Sequence, residues 1–163
     1  MSEVIIRELK KEETLILEDM LYNALYQEEG SPILPKEIIK TPEIYVFIEN
    51  FGTRKDDYCL ISELDGVVIG AVWIRILDGI IKGYGNIDDK TPEFAISLLP
   101  NYRGKGYGTL MMKEMIKYLK KIGYTQASLS VNKKNYAVNM YSKLGFEIIR
   151  EKEHDYIMLL KLI

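Results

Sequence analysis

A glycine-rich loop between a predicted strand and a predicted helix is the feature that most constrains the fold of this chain. Residues 98–109 read LLPNYRGKGYGT, with glycine at every second position from 104 to 108. Glycine permits tight turns and close approach of a ligand to the backbone, and the first N–H groups of a helix attract anions. The loop therefore predicts a phosphate-binding turn to which Arg103 and Lys105 add positive charge.

Two common phosphate-binding motifs do not fit this loop. The dinucleotide pattern G-x-G-x-x-G, started at Gly104, requires glycine at the position of Thr109, and the Walker pattern requires a G-K-[S/T] string that the chain lacks. A purely structural explanation stays open at this point, because glycine-rich turns also allow a strand and a helix to pack tightly.

Hydrophobic periodicity predicts the order β-α-α-β-β-β-α-β-α-β-β. Asp65-Gly66 is a two-residue hairpin signal, Gly123 and Gly145 are placed to end helices, and Asn135 is placed to begin one. The order predicts an α/β (α+β) fold with a mixed sheet, helices on both faces and one domain, 1–163. The predicted strands are 4–9, 58–64, 67–77, 93–99, 127–131, 146–150 and 156–162. The predicted helical regions are 12–28, 35–50, 106–122 and the segment from Asn135 to Gly145, and Thr41-Pro42 is a signal that a helix starts again within 35–50.

Composition and charge exclude several function classes. The 22 basic and 24 acidic residues give a net charge of −2, which argues against a protein that finds nucleic acid by bulk charge. The single Cys59 excludes an internal disulfide framework and a cysteine-rich zinc site, and His154 is the only histidine. The first residues lack a secretion signal, and the uncharged run 66–74 is too short to cross a membrane. We predict a cytoplasmic protein, monomeric or homodimeric, without metal, nucleic-acid or membrane partners.

Two motifs carry a resemblance to a known family. The pattern Arg103-x-x-Gly106-x-Gly108 matches the [Q/R]-x-x-G-x-[G/A] signature of the GNAT N-acetyltransferase superfamily. A second region, with Asn135 and Tyr141 followed by G-F at 145–146, is similar to that family's next helix and strand. The resemblance implies a mixed, mostly antiparallel sheet of about seven strands flanked by about four helices.

The resemblance also implies a cofactor and a reaction. Acetyl-CoA is the expected donor, and a primary amine of a small molecule or peptide attacks it directly in a ternary complex. The pantetheine arm is expected to pair with the backbone of the strand before the loop, and the pyrophosphate to bind the N–H groups of the loop. A non-catalytic acyl-CoA binding or sensing module is the alternative. The implied cofactor-binding residues are Ile96, Ser97, Leu98, Arg103, Gly104, Lys105, Gly106, Tyr107, Gly108, Thr109 and Asn135.

Tyr141 is the candidate general acid. The resemblance implies that its hydroxyl lies near the CoA sulfur and protonates the leaving thiolate. A structural role competes with this one, because Tyr141 shares a helical stripe with Ala137, Met140 and Leu144 and is equally well suited to the core.

Glu93 is the candidate general base. A primary amine is mostly protonated near pH 7 and must lose a proton before it attacks. Glu93 starts the predicted strand 93–99 and shares a face with Ala95 and Ser97. We expect its carboxylate at the mouth of the site, where binding of a cationic acceptor or plain solvation are the alternatives.

The acceptor is the least constrained part of this prediction. The resemblance implies that residues 12–50 and 80–90 shape its site. Acidic residues in these segments (Glu28, Glu29, Asp88 and Asp89) favour a cationic acceptor such as a polyamine, an aminoglycoside or a lysine side chain.

Overall fold

Seven strands form one mixed sheet in the computed structural model, which describes residues 3–163; the proposed domain 1–163 includes two residues outside this range. The strands are β1 (Val4–Glu8), β2 (Tyr58–Leu64), β3 (Val67–Arg75), β4 (Glu93–Leu98), β5 (Gln126–Asn132), β6 (Glu147–Glu151) and β7 (Asp155–Lys161). Their order is β1-β2-β3-β4-β5-β7-β6, and only β4 and β5 are parallel neighbours. This confirms the predicted fold class, and each predicted strand lies within two residues of the observed one.

Helices cover both faces of the sheet. They are α1 (Ile16–Ala24), α2 (Pro42–Tyr45), α3 (Tyr107–Ile122) and α4 (Ala137–Leu144). α3 and α4 pack through Met111, Met115 and Tyr141 on one hydrophobic cluster, while α1 packs through Leu17 and Met20 on the other. In the described part of the chain, no helix combines the length and the apolar character needed to cross a membrane.

Glycines end α3 and α4, as the sequence predicts. Gly123 and Gly145 follow α3 and α4 in the left-handed conformation, with φ of +104° and +106°. Asp65 and Gly66 both have positive φ, 53° and 79°, which is the geometry of a type I′ hairpin turn between β2 and β3.

The helical region predicted over 35–50 is divided at Thr41-Pro42, as the restart signal there indicates, and it ends earlier than expected. A short 3₁₀ helix, Lys36–Lys40, is followed by α2, and turns follow α2. Thr41 precedes Pro42 and is therefore kept out of the helical conformation, with ψ of 127°. Two later carbonyl groups, those of Val46 and Glu49, accept hydrogen bonds from Arg75 at 2.9 and 2.7 Å rather than continuing a helix.

Arg75 anchors the connection between α2 and β2 to the sheet. Its guanidinium is 1% exposed and binds both carboxylate oxygens of Asp57 at 2.9 Å. Asp57 also accepts the N–H groups of Gly52 and Arg54. Because every charged partner is paired in this buried cluster, the connection is fixed against β3.

Candidate active site

The sheet opens between its two parallel strands. β4 and β5 pair only at Glu93 and Ser128, where the Ser128 N–H donates to the Pro92 carbonyl at 3.0 Å. Beyond this bridge the two strands run toward their carboxyl ends without further pairing. The edge of β4 that faces β5 therefore carries backbone groups that can pair with an extended ligand.

Along β4, the backbone N–H and C=O groups of successive residues point alternately toward β3 and toward the opening beside β5. The Leu99 N–H donates to Ile69 on the β3 side at 2.9 Å. Because hydrogen-bonded pairs alternate in an antiparallel ladder, Ser97 also bonds toward β3, whereas Ile96 and Leu98 point toward β5. The backbone of Ile96 and the N–H of Leu98 are thus available to the predicted pantetheine arm, whereas the Leu98 carbonyl accepts the Arg103 Nε at 3.0 Å and the Ser97 backbone faces β3. The contacts with the arm stay predictions. The buried Ser97 Oγ has no partner among residues 3–163.

The glycine-rich loop presents a continuous row of donors. Among the described residues, the six consecutive N–H groups of 104–109 have no hydrogen-bond acceptor, and the next, Leu110 N–H, donates to the Gly106 carbonyl at 3.2 Å. Gly106 immediately precedes α3, so the row ends at the positive end of the helix. Such a row is a ready-made binding site for phosphate groups.

The three glycines of the loop have different roles. Gly104 and Gly106 have φ of +74° and +89°, a conformation that other residues adopt only with strain. Gly108 lies inside α3, and a Cβ there would sit 3.4 Å from the Met140 Sδ, an ordinary packing distance. Gly104 and Gly106 shape the turn, whereas the space around Gly108 would also accommodate a methyl group.

The basic side chains of the loop are not arranged as the sequence analysis expected. Arg103 donates to the backbone carbonyl groups of Leu98 and Asn23, at 3.0 and 2.9 Å, and so points to the strand and to α1. Lys105 is exposed, with its Nζ 5.9 Å from the centre of the Tyr102 ring. Of the two, Lys105 is the side chain that is free to contribute charge to an anion on the loop.

Asn135 caps α4. Its Oδ1 accepts the Ala137 N–H at 2.9 Å, and its carbonyl accepts the Val138 N–H at 3.2 Å. The predicted helix start is therefore confirmed, while a contact between Asn135 and the cofactor stays a prediction.

Replacing Asn135 by alanine should lower the free energy of unfolding by about 1 kcal/mol, the usual cost of a lost N-cap. In a chain of this size we expect a fall in melting temperature of about 2–4 °C. Asn135→Asp is the matched control, because aspartate keeps the capping oxygen and should retain the wild-type melting temperature. Equal losses in both variants would show that the cap is not the stabilising contact.

Tyr141 points inward from α4. Its ring packs at 5.8 Å from that of Phe146, and the residue is 6% exposed. Burial raises the pKa of the hydroxyl, so the group stays protonated at neutral pH. The hydroxyl has no hydrogen-bond partner within residues 3–163. Tyr141 thus belongs to the core, as its stripe predicted, and also keeps a proton that it can donate.

Glu93 lies beneath the connection between β3 and β4 instead of at an open mouth. It is 2% exposed, and its Oε2 accepts the Gly85 N–H at 2.9 Å, while Oε1 has no partner in the described range. Burial raises the pKa of Glu93 to about 7, against the smaller opposing effects of the Gly85 hydrogen bond and of Lys152. A carboxyl group with this pKa can take up a proton at physiological pH.

Two glycines that no sequence motif marked enclose Glu93. A Cβ on Gly83 would lie 2.0 Å from the Glu93 Oε1, and a Cβ on Gly85 would lie 2.7 Å from the backbone of Leu129. The Gly85 carbonyl accepts the Ser128 hydroxyl at 2.7 Å. The G-Y-G string at 83–85 was the one sequence feature that could have indicated this contact. The segment has no hydrophobic periodicity, however, that would place it over the start of β4.

Several other candidates are accounted for by the structure. Cys59 is buried, and burial raises the pKa of its thiol, which makes it a poor nucleophile. His154 is exposed at the turn between β6 and β7. Glu28 pairs with Lys134 at 3.1 Å, and Asp88 accepts the Lys90 N–H, so these acids are partly engaged within the chain. No group of three or more metal-ligating side chains occurs in the described residues.

Comparison with known proteins places this geometry in context. A profile of the acetyltransferase (GNAT) family matches residues 19–146. An N-alpha-acetyltransferase of Sulfurisphaera tokodaii is 29% identical over 116 residues, 69% of this chain and 69% of that protein. A ribosomal protein bS18-alanine N-acetyltransferase of Haemophilus influenzae is 34% identical over 68 residues, 42% of this chain and 47% of that protein. The crystal structure of PaiA N-acetyltransferase from Thermoplasma acidophilum in complex with coenzyme A has a TM-score of 0.66 and 22% identity, covering 98% of this chain and 99% of the other.

Proposed function

Because the chain belongs to the acetyltransferase (GNAT) family, we propose that it transfers the acetyl group of acetyl-CoA to a primary amine by direct attack in a ternary complex. The observation that carries this proposal is the row of free N–H groups at 104–109 beside the open edge of β4. The row fits a pyrophosphate, and the backbone of Ile96 and the N–H of Leu98 fit an extended amide-bearing arm.

The acceptor that we propose is the α-amino group of a protein or peptide. Two relatives favour it, since one is named an N-alpha-acetyltransferase and the other an alanine N-acetyltransferase of a ribosomal protein. The engagement of Glu28 and Asp88 within the chain weakens the case for a polyamine or another strongly cationic acceptor.

In the proposed reaction, Glu93 and Tyr141 each transfer one proton. Acetyl-CoA supplies the acetyl group: the amine nitrogen forms a bond to the carbonyl carbon, and the bond to sulfur breaks. Glu93 takes up the amine proton through water, because its carboxyl group is buried beneath the connection between β3 and β4. Tyr141 gives its hydroxyl proton to the departing thiolate. Both groups have the protonation behaviour that these roles need near pH 7.

Release of free CoA thiol, measured with acetyl-CoA and a panel of amines, tests the proposal. The panel contains peptides with free α-amino groups, the same peptides with blocked amino termini, and a polyamine. We expect turnover only with the free peptides. Binding of CoA without turnover of any amine would instead favour the non-catalytic module.

Glu93→Gln should lower kcat by about 10²-fold or more and remove the limb of the pH–rate profile that rises near pH 7. In the wild-type protein we expect this limb to follow the ionisation of the buried carboxyl group, whose pKa burial raises to about 7. The loss should be largest above pH 7, where the wild-type base is ionised.

The stability of the same variant provides a control. The folded state raises the pKa of Glu93 above that of an exposed carboxyl group, so the contribution of Glu93 to stability decreases as the pH rises from about 4 toward 7. Glutamine does not ionise and still accepts the Gly85 N–H, so the variant should be at least as stable as the wild-type protein above pH 7. An unchanged pH–rate profile would remove Glu93 from the reaction; a higher KM with normal kcat would assign it to acceptor binding.

A further inference from the structure

Arg103 joins two distant elements through their backbone. Its Nε donates to the Leu98 carbonyl, at the end of β4, and its Nη2 donates to the Asn23 carbonyl, in the last turn of α1. The carbonyl groups in the last turn of a helix lack partners within the helix and favour a cation. The side chain therefore bridges these elements at the protein surface, with both of these hydrogen bonds made to backbone carbonyl groups outside the N–H row of the loop.

Hydrogen bonds close the base of the loop that follows α1. Within residues 25–34 (the flap), the Leu34 N–H donates to the Gln27 Oε1 at 2.9 Å. The Tyr22 hydroxyl, on α1 itself, donates to the Leu34 carbonyl at 2.5 Å. These bonds close the base of the flap, so the position of the end of α1 determines the position of the flap.

The flap is also held from the other side of the opening. Lys134, in the connection between β5 and α4, forms an ion pair with Glu28 of the flap at 3.1 Å. The pair is largely exposed and is therefore a weak tie. On the β4 side, Arg103 holds the end of α1, from which the flap starts, and on the β5 side Lys134 holds Glu28 of the flap. Because the carboxyl ends of β4 and β5 lie at the same end of the opening, we place the flap across that end.

We propose that Arg103 is a positioning residue that fixes the flap over the carboxyl ends of β4 and β5, and that its side chain does not bind the cofactor phosphates. In terms of the proposed function, on which this part rests, the flap is a wall of the acceptor site. Arg103 then links the glycine-rich loop to the position of this wall of the acceptor site.

Hydrogen exchange and CoA affinity, measured on the full chain, distinguish between two roles of the Arg103 side chain: positioning the flap and binding the cofactor phosphates. The variants are Arg103→Met, which removes both donors, and Arg103→Lys, which keeps the charge but cannot reach both carbonyls in the same fork geometry. Lys105→Met is the matched control, because it removes the neighbouring exposed charge of the same loop. Exchange is followed in the flap and in residues 104–109, and the Kd of CoA is measured at low and high salt.

In both Arg103 variants, amide exchange in the flap should increase by about tenfold or more, as expected for the loss of charge-assisted hydrogen bonds. The salt dependence of the CoA Kd should stay as in the wild-type protein, and the KM of a turned-over peptide should rise more than kcat falls. Lys105→Met should give the opposite pattern: a weaker salt dependence and an unchanged flap.

Two results would overturn the proposal. One is unchanged exchange in the flap of Arg103→Met. The other is a lower salt dependence of CoA binding in that variant, with wild-type behaviour in Arg103→Lys. The exchange measurement needs no acceptor, so it decides the role of Arg103 even if no amine is turned over and the proposed function fails.

Discussion

The Gly106→Val variant should lose the rise in melting temperature that CoA gives the wild-type protein. At 100 times its Kd a ligand stabilises the folded state by about 2.7 kcal/mol, or about 5–10 °C for a chain of this size. Gly106 has φ of +89° and forms the turn from which the free N–H groups point. A β-branched residue cannot adopt this conformation without strain, so the turn must change and the row of donors is disrupted.

Gly123→Val is the matched control for this experiment. Gly123 lies at the opposite end of the same helix, also in the left-handed conformation and with open space around its Cα. Both variants carry a similar backbone strain, so both should be less stable without ligand. Only Gly123→Val should keep the full shift with CoA. A normal shift in a folded Gly106→Val protein would show that the N–H row does not bind the cofactor.

Tyr141→Phe should lower kcat by about 10²- to 10⁴-fold, the range of general acid catalysis, while the Kd of CoA stays within about twofold of wild type. The hydroxyl is buried and protonated, and phenylalanine keeps the ring that packs on Phe146. The variant should therefore fold normally. Single-turnover rates of acetyl transfer provide the measurement, because they isolate the chemical step from product release.

Tyr118→Phe serves as the control for the loss of a partly buried tyrosine hydroxyl. Tyr118 lies on α3 and stacks on Tyr58, with ring centres 3.6 Å apart, and burial raises its pKa as well. Its single-turnover rate should equal that of the wild-type protein. Equal rates in Tyr141→Phe and wild type, with chemistry rate-limiting, would leave Tyr141 with only its role in the core.

Local signals predicted the framework of the site. The glycines after α3 and α4, the Asp65-Gly66 turn and the alternating strands depend on backbone preferences and periodicity within a few residues, and these are readable from the sequence. The row of N–H groups was predicted for the same reason, because a strand, a glycine turn and a helix start determine where the donors point.

Long-range contacts account for what the sequence could not predict. The helical region expected over 35–50 does not continue as a helix past Tyr45, partly because Arg75, far along the chain, binds the carbonyl groups of Val46 and Glu49. Glu93 is buried because an irregular segment folds across it and two glycines fit against its carboxylate and the next strand. Arg103 contacts Asn23, a residue 80 positions away. No local pattern encodes any of these pairings.

The separation of β4 from β5 beyond Glu93 and Ser128 also leaves an unpaired strand edge inside the sheet, which affects the tendency of the protein to aggregate. Unpaired strand edges recruit strands from other chains, and proteins protect their outer edges with charges and bulges. β6 has both, with Glu147 and Arg150 on either side of a register shift. The inner edge of β4 instead presents the backbone of Ile96 and the N–H of Leu98. A bound donor would occupy this edge like an added strand, so concentrated protein should aggregate more slowly with CoA than without it.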